Sequence, residues 1–233
     1  AREFFDLIQG RAGIIILLLL MYKTTQDKMY LDIAQKVGTN LVESIQSKNC
    51  LAGMAHGYSG MAVAMALLGK YTGEENYKEI VLELCRKEDQ LFDSSMNNWC
   101  DIREGKENPR NTVAWCHGSA GILLARALIH KISGLSINQL FKDIPLNQVI
   151  DQMCQTEKTD WCLCHGQAGL LVIEKYIRHV FDYEEEKWYE DAAKYLDKRL
   201  SIEDVLNYGI MQGLAGIGIF LLFWEWERDK DTK

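Results

Sequence analysis

An all-α fold, built as an α/α toroid of inner and outer helices, follows from three features of this sequence. A Gly-x-x-Gly element recurs five times at nearly constant spacing, an almost purely apolar run follows each recurrence, and amphipathic stretches fill the intervals. The first glycines are Gly10, Gly57, Gly118, Gly166 and Gly213, separated by 47, 61, 48 and 47 residues. Spacing this regular marks one structural unit used repeatedly.

The apolar runs are GRAGIIILLLL from Gly10, GYSGMAVAMALL from Gly57, GSAGILLARALI from Gly118, GQAGLLVIEKYI from Gly166 and GLAGIGIFLLFW from Gly213. Each is long enough for a helix and apolar nearly all round, as a helix covered on most sides requires. Between them, Thr25 to Gln46, Glu74 to Phe92 and Glu184 to Leu200 place apolar residues at three- and four-residue steps among charges, the pattern of a helix with one wet face. The unit reads as one outer amphipathic helix followed by one inner apolar helix. Strand signals are scarce, and no Asn-Gly or Asp-Gly hairpin occurs. An open solenoid would leave most helices a solvated face. An apolar inner set instead favours closure, with the Gly-x-x-Gly ends gathered at one mouth.

Composition narrows the function. The chain has 233 residues, 48% apolar and 25% charged, with two prolines (Pro109 and Pro145) and no linker-like stretch, so residues 1–233 read as one domain. A formal charge of −7 argues against a nucleic-acid partner. The most apolar run, Ala12 to Tyr22, is about half the length of a bilayer span and has no basic n-region before it, so neither a membrane span nor a signal peptide is expected. A cytoplasmic location follows. Seven cysteines, an odd number without an even framework, do not suit a secreted disulfide scaffold.

The glycines alone are explained by tight loop-to-helix entries; their neighbours are not. In the second, third and fourth repeats a histidine precedes the first glycine: His56, His117 and His165. In the third and fourth a cysteine precedes that histidine: Cys116 and Cys164. If the repeats share one geometry, these side chains meet at the mouth. Thiolates with imidazole are zinc ligands, and Cys116, Cys164 and His165 would leave a fourth position open for a substrate thiol. Zinc lowers the pKa of a bound thiol and so supplies a nucleophile at neutral pH. Cys50, Cys85, Cys100 and Cys154 read as small buried apolar residues. Cys162, two residues before Cys164, stays an alternative ligand. His130 and His179 lie late in apolar helices and read as ordinary side chains.

Three elements, Gly53-Met-Ala-His56-Gly-Tyr-Ser-Gly60, Trp115-Cys116-His117-Gly118 and Cys164-His165-Gly166, stand in this order. Together they resemble the hallmarks of the lanthionine synthetase cyclase family, the LanC-like proteins, along essentially the whole chain. The family fold is a toroid of seven helical hairpins. The resemblance therefore implies an incomplete set of about five here, with the first two hairpins missing or contributed by another chain. The closing element YGIMQGLAGIGIFLL from Tyr208 looks most like the C-terminal cyclase region of LanM-type class II synthetases, in which a separate dehydratase domain first dehydrates Ser and Thr of a precursor peptide.

By resemblance, one zinc ion falls on Cys116, Cys164 and His165, the general acid or base is His56, and its acidic neighbour is Asp6. The substrate is a dehydrated precursor peptide, whose Cys thiolate adds to dehydroalanine or dehydrobutyrine to close a thioether ring. His117, beside a ligand, is an alternative acid or substrate contact. A family member carries an arginine four residues before its first zinc cysteine; here that position is Thr112, with Arg110 two residues earlier as a possible replacement.

Three other readings compete. Some LanC-like relatives add glutathione to dehydrated residues. Toroidal glycosidases need paired carboxylates at the mouth, which Asp101 and Asp160 do not resemble. A zinc-stabilised scaffold would bind precursor peptide or a partner subunit without catalysis. A ring with a gap would also expose apolar inner helices, so self-association is an expected consequence.

Overall fold

The computed structural model describes residues 4–46, 48, 50–183, 188 and 208–231. The outer stretch expected at Glu184 to Leu200 therefore lies outside the described residues, Trp188 excepted. Helices α1 (Arg11–Thr25) and α2 (Lys28–Ile45) form a first hairpin, and α3 (Tyr58–Thr72) and α4 (Asn76–Asp89) a second. A short antiparallel ribbon follows, β1 (Phe92–Asp93) with β2 (Asn98–Trp99). Then come α5 (Ser119–Ser133), the single turn α6 (Ile137–Leu140), α7 (Leu146–Cys154), α8 (Gln167–Phe181) and α9 (Leu214–Asp231).

The five apolar runs are α1, α3, α5, α8 and α9, standing side by side in that order as an inner row. Outside them, α2 packs on α1, α4 on α3, and α7 on both α5 and α8. Each of the first two outer helices packs chiefly on the inner helix before it, not on the one after, reversing the outer-then-inner order expected from sequence. The reason lies in the connections. Only Gln26 and Asp27 separate α1 from α2, and only Gly73 to Glu75 separate α3 from α4, so each pair must fold back as an antiparallel hairpin. The chain then takes a longer route back to the mouth.

The inner helices begin and end alike. Helices α1, α3, α5 and α8 are each 15 residues long, start behind a glycine N-cap and stop at a left-handed C-cap: Gln26, Gly73, Gly134 and Asp182. The second glycine of every repeat has one specific job. Gly13, Gly60, Gly121, Gly169 and Gly216 each sit against the carbonyl oxygen of the residue six positions earlier: Leu7, Met54, Trp115, Leu163 and Ile210. A β-carbon at any of them would overlap main chain that cannot yield. The repeated glycine thus fixes how the entry turn folds onto its own helix.

The larger core lies between the rows, with Ile15, Leu19, Leu41, Met61, Met65, Leu68, Leu84 and Ile122 fully buried. Each such side chain contributes about 1.5–3 kcal/mol by leaving water. A second, smaller core gathers Trp161, Leu171, Trp188, Ile217 and Phe220 between α8 and α9. The expectation of inner helices covered on most sides holds for α3 and α5. It fails at both ends of the row: α1 exposes Ile14, Leu17 and Leu20, and α9 exposes Ile219, Leu222 and Trp226. Among the described residues, no helix is long and apolar enough to cross a membrane.

One chain of backbone hydrogen bonds joins all five entry turns. Leu7 donates to the carbonyl of Ala55 (3.2 Å), Ala55 to Cys116 (3.3 Å), Trp115 to Cys164 (3.0 Å) and Cys164 to Met211 (2.8 Å). The turns are thereby held in contact at one end of the inner row.

Candidate active site

The turn at residues 51–57 presents His56. Its shape is imposed from beneath by Glu88 of α4, which is wholly buried. Glu88 Oε1 accepts from the backbone of Gly53 (3.0 Å) and Ser59 (3.1 Å), and Oε2 accepts the Ser59 hydroxyl (2.7 Å). Burial pushes the Glu88 carboxyl up, while Arg126 and these donors pull it back. Arg126, also fully buried, pairs with Glu88 and Asp89 and lies over the rings of Trp99 and Phe141. Gly53 has φ of 123°, and a β-carbon there would run into the Cys116 carbonyl and the His117 backbone. Glycine is needed both for that left-handed conformation and for the approach of the two turns.

His56 Nδ1 stands 3.1 Å from Asp6 Oδ2, across 50 residues of sequence. The other Asp6 oxygen takes the Gln9 N–H (2.6 Å), which steadies the carboxylate within its own turn. A proton on Nδ1 donated to this carboxylate would leave Nε2 for other work. On its face, His56 stacks against His117, with centroids 5.4 Å apart and planes 23° from parallel. His117 is 1% exposed, and its Nδ1 has no hydrogen-bond partner among the described residues. Burial, then the charge of Arg103, lowers its pKa below the usual imidazole value, so it is neutral at pH 7.

The third entry turn carries Cys116. Buried Asn98 organises it: Oδ1 accepts from Ser119 N (2.8 Å), and Nδ2 donates to the Thr112 carbonyl (3.0 Å). Gly118 adopts φ of 81° directly against that carbonyl. Across the mouth, the thiols of Cys116 and Cys164 are hydrogen-bonded to one another. The Cys164 thiol, donating to the sulfur of Cys116, is the main cause that brings Cys116 down to about 6, against burial and with help from His165 and Arg103. Cys164, as the donor, is pushed up correspondingly.

His165 follows Cys164, and its ring is 48% exposed. Its Nε2 lies 4.0 Å from Asp160 Oδ2, and its backbone N–H reaches Cys162 Sγ (3.4 Å). Among the described residues, the group of three ligand types whose donor atoms all lie within 4.8 Å is Asp160, Cys162 and His165. The structure thus brings Cys116 together with Cys164, and turns the His165 ring toward Asp160 and Cys162. A thiol, an imidazole and a carboxylate within 4.8 Å of one another, with the Cys116 and Cys164 thiols as further donors at the same mouth, are groups of the kind a zinc ion takes.

The expected stand-in for the missing arginine behaves differently. Arg110 is turned to Glu104 on the surface. The cation whose field reaches Cys116 and His117 is Arg103, clasped by buried Asp101. The sequence reading passed over Arg103, Glu88 and the neighbourhood of Asp160 and His165. For Asp160 a local signal existed in the spacing Asp160-x-Cys162-x-x-His165; for Glu88 none did, because it sits in the middle of an ordinary amphipathic helix.

Comparison with known proteins agrees with this architecture. A family model described as "Lanthionine synthetase C-like protein" matches residues 1–227. The chain is 31% identical over 221 residues to the lacticin 481/lactococcin biosynthesis protein LcnDR2 of Lactococcus lactis subsp. lactis, covering 91% of this chain and 23% of that protein's length. Its fold is similar to that of nisin cyclase, with a TM-score of 0.62 and 21% identity over 96% of this chain and 63% of the cyclase. On the family match and the shared helical toroid architecture, the chain belongs to the lanthionine synthetase C-like family.

Proposed function

We propose that this chain is the cyclase portion of a lanthipeptide-forming enzyme. Its reaction joins a cysteine thiol of a dehydrated precursor peptide to a dehydroalanine or dehydrobutyrine of the same peptide. The observation that carries this reading is the coupling of two chemistries at one mouth: the Asp6–His56 pair and the Cys116–Cys164 thiol pair sit on adjacent turns bonded through Ala55 and Cys116. Family membership and the lacticin-biosynthesis relative support it.

Cys116, Cys164 and His165 would hold one zinc ion, which supplies the capacity to keep a substrate thiol ionised at neutral pH. The protein's own groups handle the proton. Asp6 accepts from His56 Nδ1, so the imidazole presents Nε2 as a base to the entering thiol. The same nitrogen, once protonated, returns that proton to the α-carbon after the sulfur has bonded to the β-carbon, and the proton count balances. His117, buried and neutral, serves as the flat support for the His56 ring. A cytoplasmic setting would keep all seven cysteines as thiols, the state they have here. The apolar faces of α1 and α9 offer surface to further helices, either of a longer synthetase chain or of a partner.

The test is conversion of a dehydrated peptide by the purified zinc-loaded protein, followed as loss of peptide thiol at unchanged peptide mass. Plasma emission should find about one zinc per chain, the ratio a three-ligand catalytic site implies. His56→Asn should keep the metal and slow cyclisation by about 10²–10⁴-fold, whereas Cys164→Ala should lose the metal itself. A zinc-loaded protein that binds peptide yet consumes no thiol would make the chain a scaffold instead.

A further inference from the structure

The loop at residues 100–112 holds a charged pair that neither the thiols nor the histidines account for. The Asp101 side chain is 0% exposed, yet the arginine it binds, Arg103, is 46% exposed. Arg103 Nε lies 2.9 and 3.0 Å from the two carboxylate oxygens, and Nη2 lies 2.6 Å from Oδ2. Asp101 also accepts the Arg103 backbone N–H (3.2 Å) and the Thr112 hydroxyl (3.0 Å). Its own backbone pairs in both directions with Arg110 (3.0 and 2.9 Å).

This arrangement fixes one edge of the guanidinium and leaves the other available. Nη1 has no hydrogen-bond partner among the described residues. The guanidinium is thus paired on one side while nearly half of the side chain stays open to solvent, where a second partner can reach it. The loop is also locked to the chemistry: Thr112, which bonds Asp101 through its hydroxyl, packs its carbonyl against Gly118, two residues beyond Cys116. A planar cation held rigidly by a buried carboxylate, with an open donor edge, is a preorganised site for developing negative charge on oxygen.

Resting on the cyclase reading above, we propose that Arg103 is a catalytic residue that binds the carbonyl oxygen of the dehydrated residue through its open Nη1 edge. When the thiolate sulfur bonds to the β-carbon, the π pair of the Cα–Cβ double bond moves onto the α-carbon and the adjacent carbonyl, making an enolate. Arg103 stabilises that oxyanion until His56 delivers to the α-carbon the proton the thiol gave up. Thr112 and Asp101 are positioning residues for this guanidinium.

The experiment compares parent, Arg103→Gln, Arg103→Lys and the double variant Asp101→Asn/Arg103→Gln on a dehydrated peptide, with zinc content and thermal melts measured on each. Arg103→Gln should lower kcat by about 10²–10³-fold with KM changed little, because the oxyanion exists only after the ground state. Arg103→Lys should recover part of the loss. The double variant should stay slow while regaining melting temperature. Recovery of activity in the double variant would show that Arg103 only neutralises Asp101, and would overturn the proposal. So would parent-like turnover by Arg103→Gln. If Arg103→Gln fails to fold, the lysine and double variants still decide the matter. An inactive zinc-loaded parent would instead sink the cyclase reading, a distinguishable result.

Discussion

The backbone N–H of Ala55 donates to the carbonyl oxygen of Cys116 across 3.3 Å. The turn presenting His56 and the turn presenting the first thiol are therefore one mechanical unit. What happens to either thiol or to the support beneath His56 should be readable at the other.

A first measurement concerns ionisation of the thiol pair in metal-stripped protein. Cys116 is held at about 6, chiefly by the hydrogen bond from Cys164, whereas burial pushes Cys85 up to about 12. A lowered thiol pKa means the thiolate is present above the folded value and is lost below it. Alkylation of Cys116 should therefore rise through about pH 6 and level off above about pH 7, while the other cysteines react slowly there. In Cys164→Ala the plateau should move toward the ordinary thiol range. Mass mapping after pulses of iodoacetamide reads both, and a Cys116 rate that keeps climbing past pH 8 contradicts the pairing.

Glu88 is the second. It anchors the His56 turn through three hydrogen bonds and faces Arg126, which is wholly buried. Glu88→Ala strands that guanidinium with Asp89 as its remaining acidic partner. Removing one partner of a buried pair costs about 3–5 kcal/mol. For a chain of this size the melting temperature should fall by roughly 6–20 °C. Cyclisation should fall too, although Glu88 never meets substrate. A melt within about 2 °C of the parent would remove the anchoring role.

Asp101 carries a pH signature. Burial alone would raise its carboxyl, but the hydrogen bonds from Arg103 and Thr112 prevail and hold it at about 2, against an ordinary 3.8. The folded-state value is depressed, so its stabilisation is fully present above about pH 4 and drains away as pH falls toward 2. Asp101→Asn should thus be less stable than the parent at neutral pH, with the gap closing between about pH 4 and pH 2. Urea denaturation at a series of pH values gives the gap directly. A gap independent of pH would assign the loss to packing.

Periodicity made the inner row readable, because a helix covered on most sides must be apolar on most sides, and α3 and α5 are both. The glycines Gly60, Gly121 and their equivalents were legible as a motif, although their six-residue backlap onto a carbonyl is visible only in three dimensions. The ribbon at Phe92 to Trp99 carried no turn signature of the usual kind; its left-handed residue is Asn97, φ 46°. Among site residues, those preceding a repeat glycine stood out because the repeat itself aligns them. Arg103 and Glu88 did not, since one lies in an insertion unique to the longest interval and the other looks like any helix carboxylate until its partners are seen. Hairpin pairing was misread because connection length, not hydrophobic pattern, decides which neighbour a helix folds back upon.

The bonds that run from Leu7 through Ala55, Cys116 and Cys164 to Met211 join main-chain atoms only. The spacing between reactive positions is consequently independent of what any of those residues carries on its β-carbon. Such a mouth behaves as a rack with interchangeable tools: a histidine, cysteine or other side chain can be swapped at one slot while its neighbours keep their places. Diversification within this architecture can then proceed one slot at a time, with new chemistry arriving before the frame has to change.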